Sequence, residues 1–176
     1  MTHFSTEILQ AEAPADVLRS ELRDIPRFLS LCLQCPGHNA SWLCPPVEAA
    51  LSARIDAASK AIIAGIKITP SSLCTLTGQQ IMQQARIPLE QHLLQLEAEH
   101  GGLACGLSGR CTYCDEPCAR ISAQPCRHPQ LARPSLEAHG FNVSAIAERY
   151  LGLPILWQKD GRHPDYYILV GAVFFG

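Results

Sequence analysis

Two hydrophobic rhythms run along this chain. Val47, Ala50, Leu51, Ile55 and Ala58 recur at helical spacing, with Glu48, Ser52 and Asp56 on the other side. They predict a helix opened by Pro45-Pro46, because proline in a first turn gives up only an N–H that has no partner there. Ala61 to Ile68 is an unbroken, β-branched run and reads as a central strand, ended by Thr69-Pro70-Ser71-Ser72. A second helical region covers about 77–100, restarted by Pro88 and closed by Gly101-Gly102, with Leu89, Leu93 and Leu96 as its buried stripe. Leu103 to Leu107 reads as a further strand.

Toward the C-terminus, Ser135 to Gly140 reads as a short helix, and Asn142 or Ser144 caps another that ends at Gly152. Ile155-Leu156-Trp157 and Tyr166 to Phe175 flank the turn signal Lys159-Asp160-Gly161 and read as a hairpin. Near the start, Arg27 to Cys32 is a short apolar run and reads as a strand, and Pro36 to Ser41 as a loop. Residues 1–20 are polar and alanine-rich, a loose or partly helical leader. The mixture predicts an α+β fold: a small mixed or antiparallel sheet with helices packed on it. The expected organisation is a leader over 1–24 and one cysteine-rich domain over 25–176.

Composition narrows the function. Of 176 residues, 47% are hydrophobic and 17% charged, enough for a core and too apolar for disorder. No apolar run reaches the roughly 20 residues of a membrane helix. A net charge of −2 argues against nucleic acid, which wants a basic surface. The first residues, Met1-Thr2-His3-Phe4, carry no basic stretch followed by an apolar one, so a cytoplasmic protein is expected, in a compartment that keeps thiols reduced.

The anomaly is nine cysteines. Seven fall in two groups. Cys111, Cys114, Cys118 and Cys126 follow C-x2-C-x3-C-x7-C, a tight triplet with a fourth thiol downstream. Zinc modules more often offer two separated C-x2-C pairs, whereas a wrapped triplet suits a bulky iron–sulfur cube. Arg110, Arg120, Arg127, Arg133 and His128 lie in or beside this stretch and would offset the cluster's negative charge, or else pair with Asp115 and Glu116. Cys32, Cys35 and Cys44 form the other group, stiffened by Pro36 and Pro45 and shielded by Trp42. Its fourth ligand is Cys74, Cys105 or His38, or the position is open. Cys74 and Cys105 otherwise read as small buried hydrophobes. His92 and His100 read as surface residues. The chain has no phosphate-binding loop, H-E-x-x-H or G-x-S-x-G.

The elements Trp42-Leu43-Cys44-Pro45-Pro46, then Cys111, Cys114 and Cys118, then Cys126-Arg127-His128-Pro129 and Arg133-Pro134-Ser135-Leu136-Glu137-Ala138-His139-Gly140 carry a likeness. With the hydrophobic C-terminal strand, the chain resembles the domain of unknown function 2284, a family of predicted metal-binding proteins, over about 25–175. It departs from the family's pattern at Arg110, Asn142 and the first C-x2-C spacing. The resemblance implies iron–sulfur binding and anaerobic metabolism.

The leading expectation is a protein with one or two 4Fe–4S clusters that exchanges single electrons with a redox partner protein, Arg127 and His128 lying just outside the ligands. One alternative is an enzyme whose three-cysteine cluster keeps an open iron for a small molecule. The other is a zinc-stabilised interaction module. The sequence does not fix the oligomeric state.

Overall fold

The computed structural model describes residues 3–114 and 116–176; Met1, Thr2 and Asp115, the last named above as an arginine partner, lie outside the described residues. Among them, four strands form one antiparallel sheet in the order β1-β2-β4-β3. These are β1 (Phe4–Pro14), β2 (Lys60–Pro70), β3 (Leu103–Cys105) and β4 (Tyr167–Phe175). The five α-helices are α1 (Ala15–Glu21), α2 (Ile25–Leu33), α3 (Ala49–Ala57), α4 (Gly78–His100) and α5 (Val143–Leu151). The molecule is a single α+β domain, as expected, and its sheet is wholly antiparallel.

The two central strands read as continuous apolar runs because the sheet is covered on both faces. Side chains alternate across a strand. On β2, Ala61 and Ile63 point to a core shared with Leu18, Ile55, Ile146 and Ala147 of α1, α3 and α5. Ile62, Ala64, Ile66 and Ile68 point to a second core, against Ile81, Ala85, Leu89, Leu93 and Leu96 of α4. On β4, Val170, Ala172 and Phe174 join the first core, and Tyr167 and Val173 the second.

Helix α4 starts at a capping box. The Thr77 hydroxyl accepts from the Gln80 N–H, and the Gln80 side chain accepts from the Thr77 N–H. It ends at Gly101 with φ of 63°. It runs unbroken through Pro88 rather than restarting there. The apolar stripe spans both sides of the proline, so packing on the sheet holds the helix across the missing bond.

Four other expectations are corrected. Residues 4–14, expected to be loose or partly helical, form the edge strand β1, paired with β2 from Phe4↔Pro70 to Pro14↔Lys60. The helical part of that expectation survives as α1. Arg27 to Cys32 is helical, not extended: Asp24 caps α2 by accepting from the Arg27 N–H at 3.1 Å, and Pro26 sits in its first turn. The C-terminal hairpin keeps its turn, an isolated bridge between Lys159 and Arg162, but Ile155 to Trp157 form no strand, and β4 pairs with β2 and β3. Ser135 to Gly140 makes only a 3-10 turn, Glu137–His139, while Asn142 caps α5 as expected.

Candidate metal centre

Apart from Cys32, which ends helix α2, the cysteines of both groups lie in irregular backbone. Among the described residues of 106–135, a single 3-10 turn, Ala119–Ser122, is formed. A compact domain seldom carries so long an irregular stretch unless function or a bound group organises it.

Helix α2 delivers the first group. Cys32 lies in its last turn and Cys35 just past its end, where the Cys35 N–H donates to the Cys32 carbonyl at 3.2 Å. Cys44 returns from the loop. Its Sγ donates to the Gly37 carbonyl at 3.4 Å and contacts the Ser41 hydroxyl at 3.6 Å. Cys32, Cys35, Cys44 and His38 together line a cavity of about 80 Å³, with Ser108, Ser135 and Glu137 on the facing wall. That is more room than one ion needs, since a single water takes only roughly 10–15 Å³ of such space.

Burial raises the Cys32 thiol, and the neighbouring Glu137, Cys35 and Cys44 raise it further. A cation at this point would reverse that, because crowded negative groups are what a metal relieves. The Oε2 of Glu137 is buried with no hydrogen-bond partner among the described residues. Burial pushes its carboxyl up, against the pull of its own backbone N–H and of the Ser108 and Ser135 hydroxyls. Three thiols, an imidazole and a buried carboxyl group on the residues around one cavity are donors of the types a metal takes, although no three of them stand close enough here to hold a single ion.

Of the expected fourth ligands, only His38 lines this cavity. Cys105 is fully buried on β3 within the core, and burial pushes its thiol strongly up. Cys74 packs beside the α4 core, its Sγ at 4.0 Å from the Leu76 carbonyl oxygen.

The second group is held from α4. Arg86 and Glu90, both buried, form an ion pair at 2.8 Å one turn apart. Arg86 also donates to the carbonyls of Leu107, Ser108 and Arg110, fixing the backbone that leads to Cys111. Burial raises the Cys111 thiol, the Tyr113 backbone lowers it, and Cys114, Cys118 and Glu90 raise it again. Cys118 precedes the 3-10 turn, and the Cys126 Sγ accepts the His128 N–H at 3.4 Å. Among the described residues, in neither cysteine group are three Cys, His, Asp or Glu side chains drawn close enough to hold a single ion.

The arginines divide. Arg127 pairs with Glu116 at 3.3 Å, Arg133 with Glu97 at 2.8 Å. Arg120 crosses to the first group instead. It donates to the Asn39 side chain and to the carbonyls of Ser41, Cys44 and Pro45, and stacks over the Trp42 ring at 5.1 Å. Trp42 answers by donating to the Gln124 carbonyl at 3.2 Å. Replacing Arg120 by alanine therefore unpins the two cysteine segments. The expected cost is about 2–3 kcal/mol, from several charge-assisted bonds that do not add in full. Arg120→Lys should restore little, since an ammonium lacks the fork. Urea unfolding of the three proteins checks both statements.

His139, two residues past Glu137, is buried with neither ring nitrogen partnered among the described residues. Burial, helped by the Arg23 charge, pushes it down to about 4. The unfolded chain binds this proton near pH 6.5, so the stabilisation is complete above that value and is lost as pH falls toward 4. The loss should reach about 3 kcal/mol. His139→Leu is expected to flatten this part of the pH–stability curve, measured by unfolding midpoints from pH 7 to pH 4.

Sequence reasoning missed Glu137, Ser108 and Ser135 as walls of the first cavity. Glu137 and Ser135 stood in the motif that carried the family likeness, but nothing in the spacing links them to Cys32.

A family model described as "Predicted metal-binding protein (DUF2284)" matches residues 19–175. No curated protein and no solved structure matches. No helix among the described residues is long and apolar enough to cross a membrane.

Proposed function

Since the chain belongs to the DUF2284 family of predicted metal-binding proteins, we propose that it is a cytoplasmic iron–sulfur protein passing single electrons to or from a partner protein in anaerobic metabolism. Cys111, Cys114, Cys118 and Cys126 hold one 4Fe–4S cluster, and Cys32, Cys35 and Cys44 hold a second. Such a cluster supplies a one-electron couple when bound.

The observation that carries the reading is the cavity lined by Cys32, Cys35 and Cys44. It is joined to the second cysteine segment by Arg120 and Trp42. Two cysteine segments tied together by such contacts suit electron passage between them. The chain's own residues would tune it: the His128 N–H on the Cys126 sulfur offsets charge on a ligand, and N–H donors of this kind raise a cluster's potential. All nine thiols are unpaired, which suits a reducing compartment.

A second reading has its own observation. A cavity of about 610 Å³ adjoins the first cysteine group through Ser108, Gly109 and Glu137. It is of the size that takes a small molecule. An open iron at the three-cysteine site, facing that cavity, would make the protein an enzyme fed with electrons by the other cluster.

Anaerobic reductive titration tests the electron-transfer reading. The expected result is a brown protein whose visible absorption bleaches on reduction and which then gives a paramagnetic resonance signal. A protein with no reducible centre overturns it and favours zinc in both sites.

A further inference from the structure

The three-cysteine group lacks a fourth thiol, and the two spare cysteines are placed where they cannot supply one. Cys105 is locked in the core under β3, and Cys74 lies beside α4. The facing wall of the cavity offers a different donor. Glu137 lies in the 3-10 turn that packs on α2, the helix bearing Cys32. The residue is half-buried, but its Oε2 has no solvent exposure and no hydrogen-bond partner among the described residues.

A buried carboxylate oxygen without a partner costs roughly 1–3 kcal/mol or more, so native structures rarely keep one without a use. Beside three thiols, the use that satisfies it is a cation. We propose that Glu137 is the fourth, oxygen donor of the Cys32, Cys35 and Cys44 site. The proposal rests on a metal being bound there, as above.

The placement has a consequence. Glu137 is a wall residue of both the cysteine cavity and the 610 Å³ cavity, so an oxygen-ligated corner of the site would lie between the two spaces. A carboxylate is a harder donor than thiolate and a poorer match for iron in a sulfur cluster. A molecule entering the larger cavity would therefore compete for the Glu137 position and leave the thiolates in place.

The test compares the full chain, purified anaerobically, with Glu137→Gln, Glu137→Cys and Cys44→Ser. Iron content after exposure to a chelator and the paramagnetic resonance spectrum of the reduced protein are read for each. Glu137→Gln should release first-site iron at least 10-fold faster, since losing even an outer partner of a ligand costs roughly 10–100-fold in affinity. Glu137→Cys should retain iron as well as the parent or better, with a changed spectrum.

Unchanged iron and spectrum in Glu137→Gln, with loss in Cys44→Ser, overturns the Glu137 assignment while leaving the metal site standing. So does a folded Glu137→Cys chain that fails to retain first-site iron. If Cys44→Ser also changes nothing, the metal reading of that site has failed instead.

Discussion

Replacing Cys111 and Cys114 together by serine is expected to abolish one metal site and leave the other loaded. The converse pair, Cys32→Ser with Cys35→Ser, should do the opposite. Serine keeps the size of cysteine but offers iron a far weaker donor, so the loss should be complete rather than graded. The two pairs should also differ in what they do to the fold. The first lies in a stretch, 106–135, whose described residues hold one short 3-10 turn and few hydrophobic anchors beyond Leu107 and Ala119. Metal binding there contributes directly to folding, as it does wherever ligands are gathered from irregular chain. The Cys111/Cys114 variant should therefore become open to limited proteolysis within 108–134, while β2, β4 and α4 stay protected. The Cys32/Cys35 variant should show little new cleavage, because α2 is capped by Asp24 and tied to the 139–142 segment independently of any metal. Metal analysis and proteolytic mapping of the two proteins check this.

Gly140→Ala should cost about 2–5 kcal/mol and release metal from the first site, although Gly140 is no ligand. Its φ of +87° already strains any side chain, at roughly 1–2 kcal/mol. A Cβ there would also meet Ile25, at 2.8 Å from its Cα and 2.7 Å from its Cγ1. Overpacking of this kind costs a further ~1–3 kcal/mol. The backbone has no room to yield, because the two segments are zipped together. The Asp24 N–H donates to the Gly140 carbonyl at 2.8 Å, the Asn142 N–H to the Leu22 carbonyl at 2.8 Å, and the Arg23 side chain to the His139 carbonyl at 2.8 Å. That seam holds the turn carrying Glu137 against the helix carrying Cys32. Prising it apart separates the two walls of the cysteine cavity. Thermal unfolding should show the loss of stability, and chelator-release kinetics should show the first site emptying before the second.

Much of the fold was written locally. β2, α4 and α5 follow from an unbroken β-branched run, a leucine stripe with its glycine stop, and Asn142 with Gly152. The errors have local causes too. Arg27 to Cys32 was read as extended on its apolar run alone, yet Asp24 and Pro26 just before it are the cap and first-turn residues of a helix. β1 could not be read, because it is an edge strand with polar, exposed residues on both faces, Glu7 on one and Gln10 and Glu12 on the other, and only its pairing with β2 makes it a strand. The missing half of the hairpin follows from Trp157, which is exposed and finds no strand to pair with.

For the site, spacing separated the cysteines into two groups, because chelation is a local constraint. Spacing could not bring Glu137 to Cys32, some hundred residues apart, nor turn Arg120 away from its own segment to clasp the other. Those contacts depend on how the chain returns across the sheet. The nearby sequence of Arg120 pointed only to Asp115 and Glu116.

The central claim is that both cysteine groups carry iron–sulfur clusters. Quantifying iron, acid-labile sulfide and zinc per chain after strictly anaerobic purification tests it most directly. The account predicts about eight irons and eight sulfides per chain, four of each to a cube. A colourless protein that carries zinc and no sulfide would contradict it.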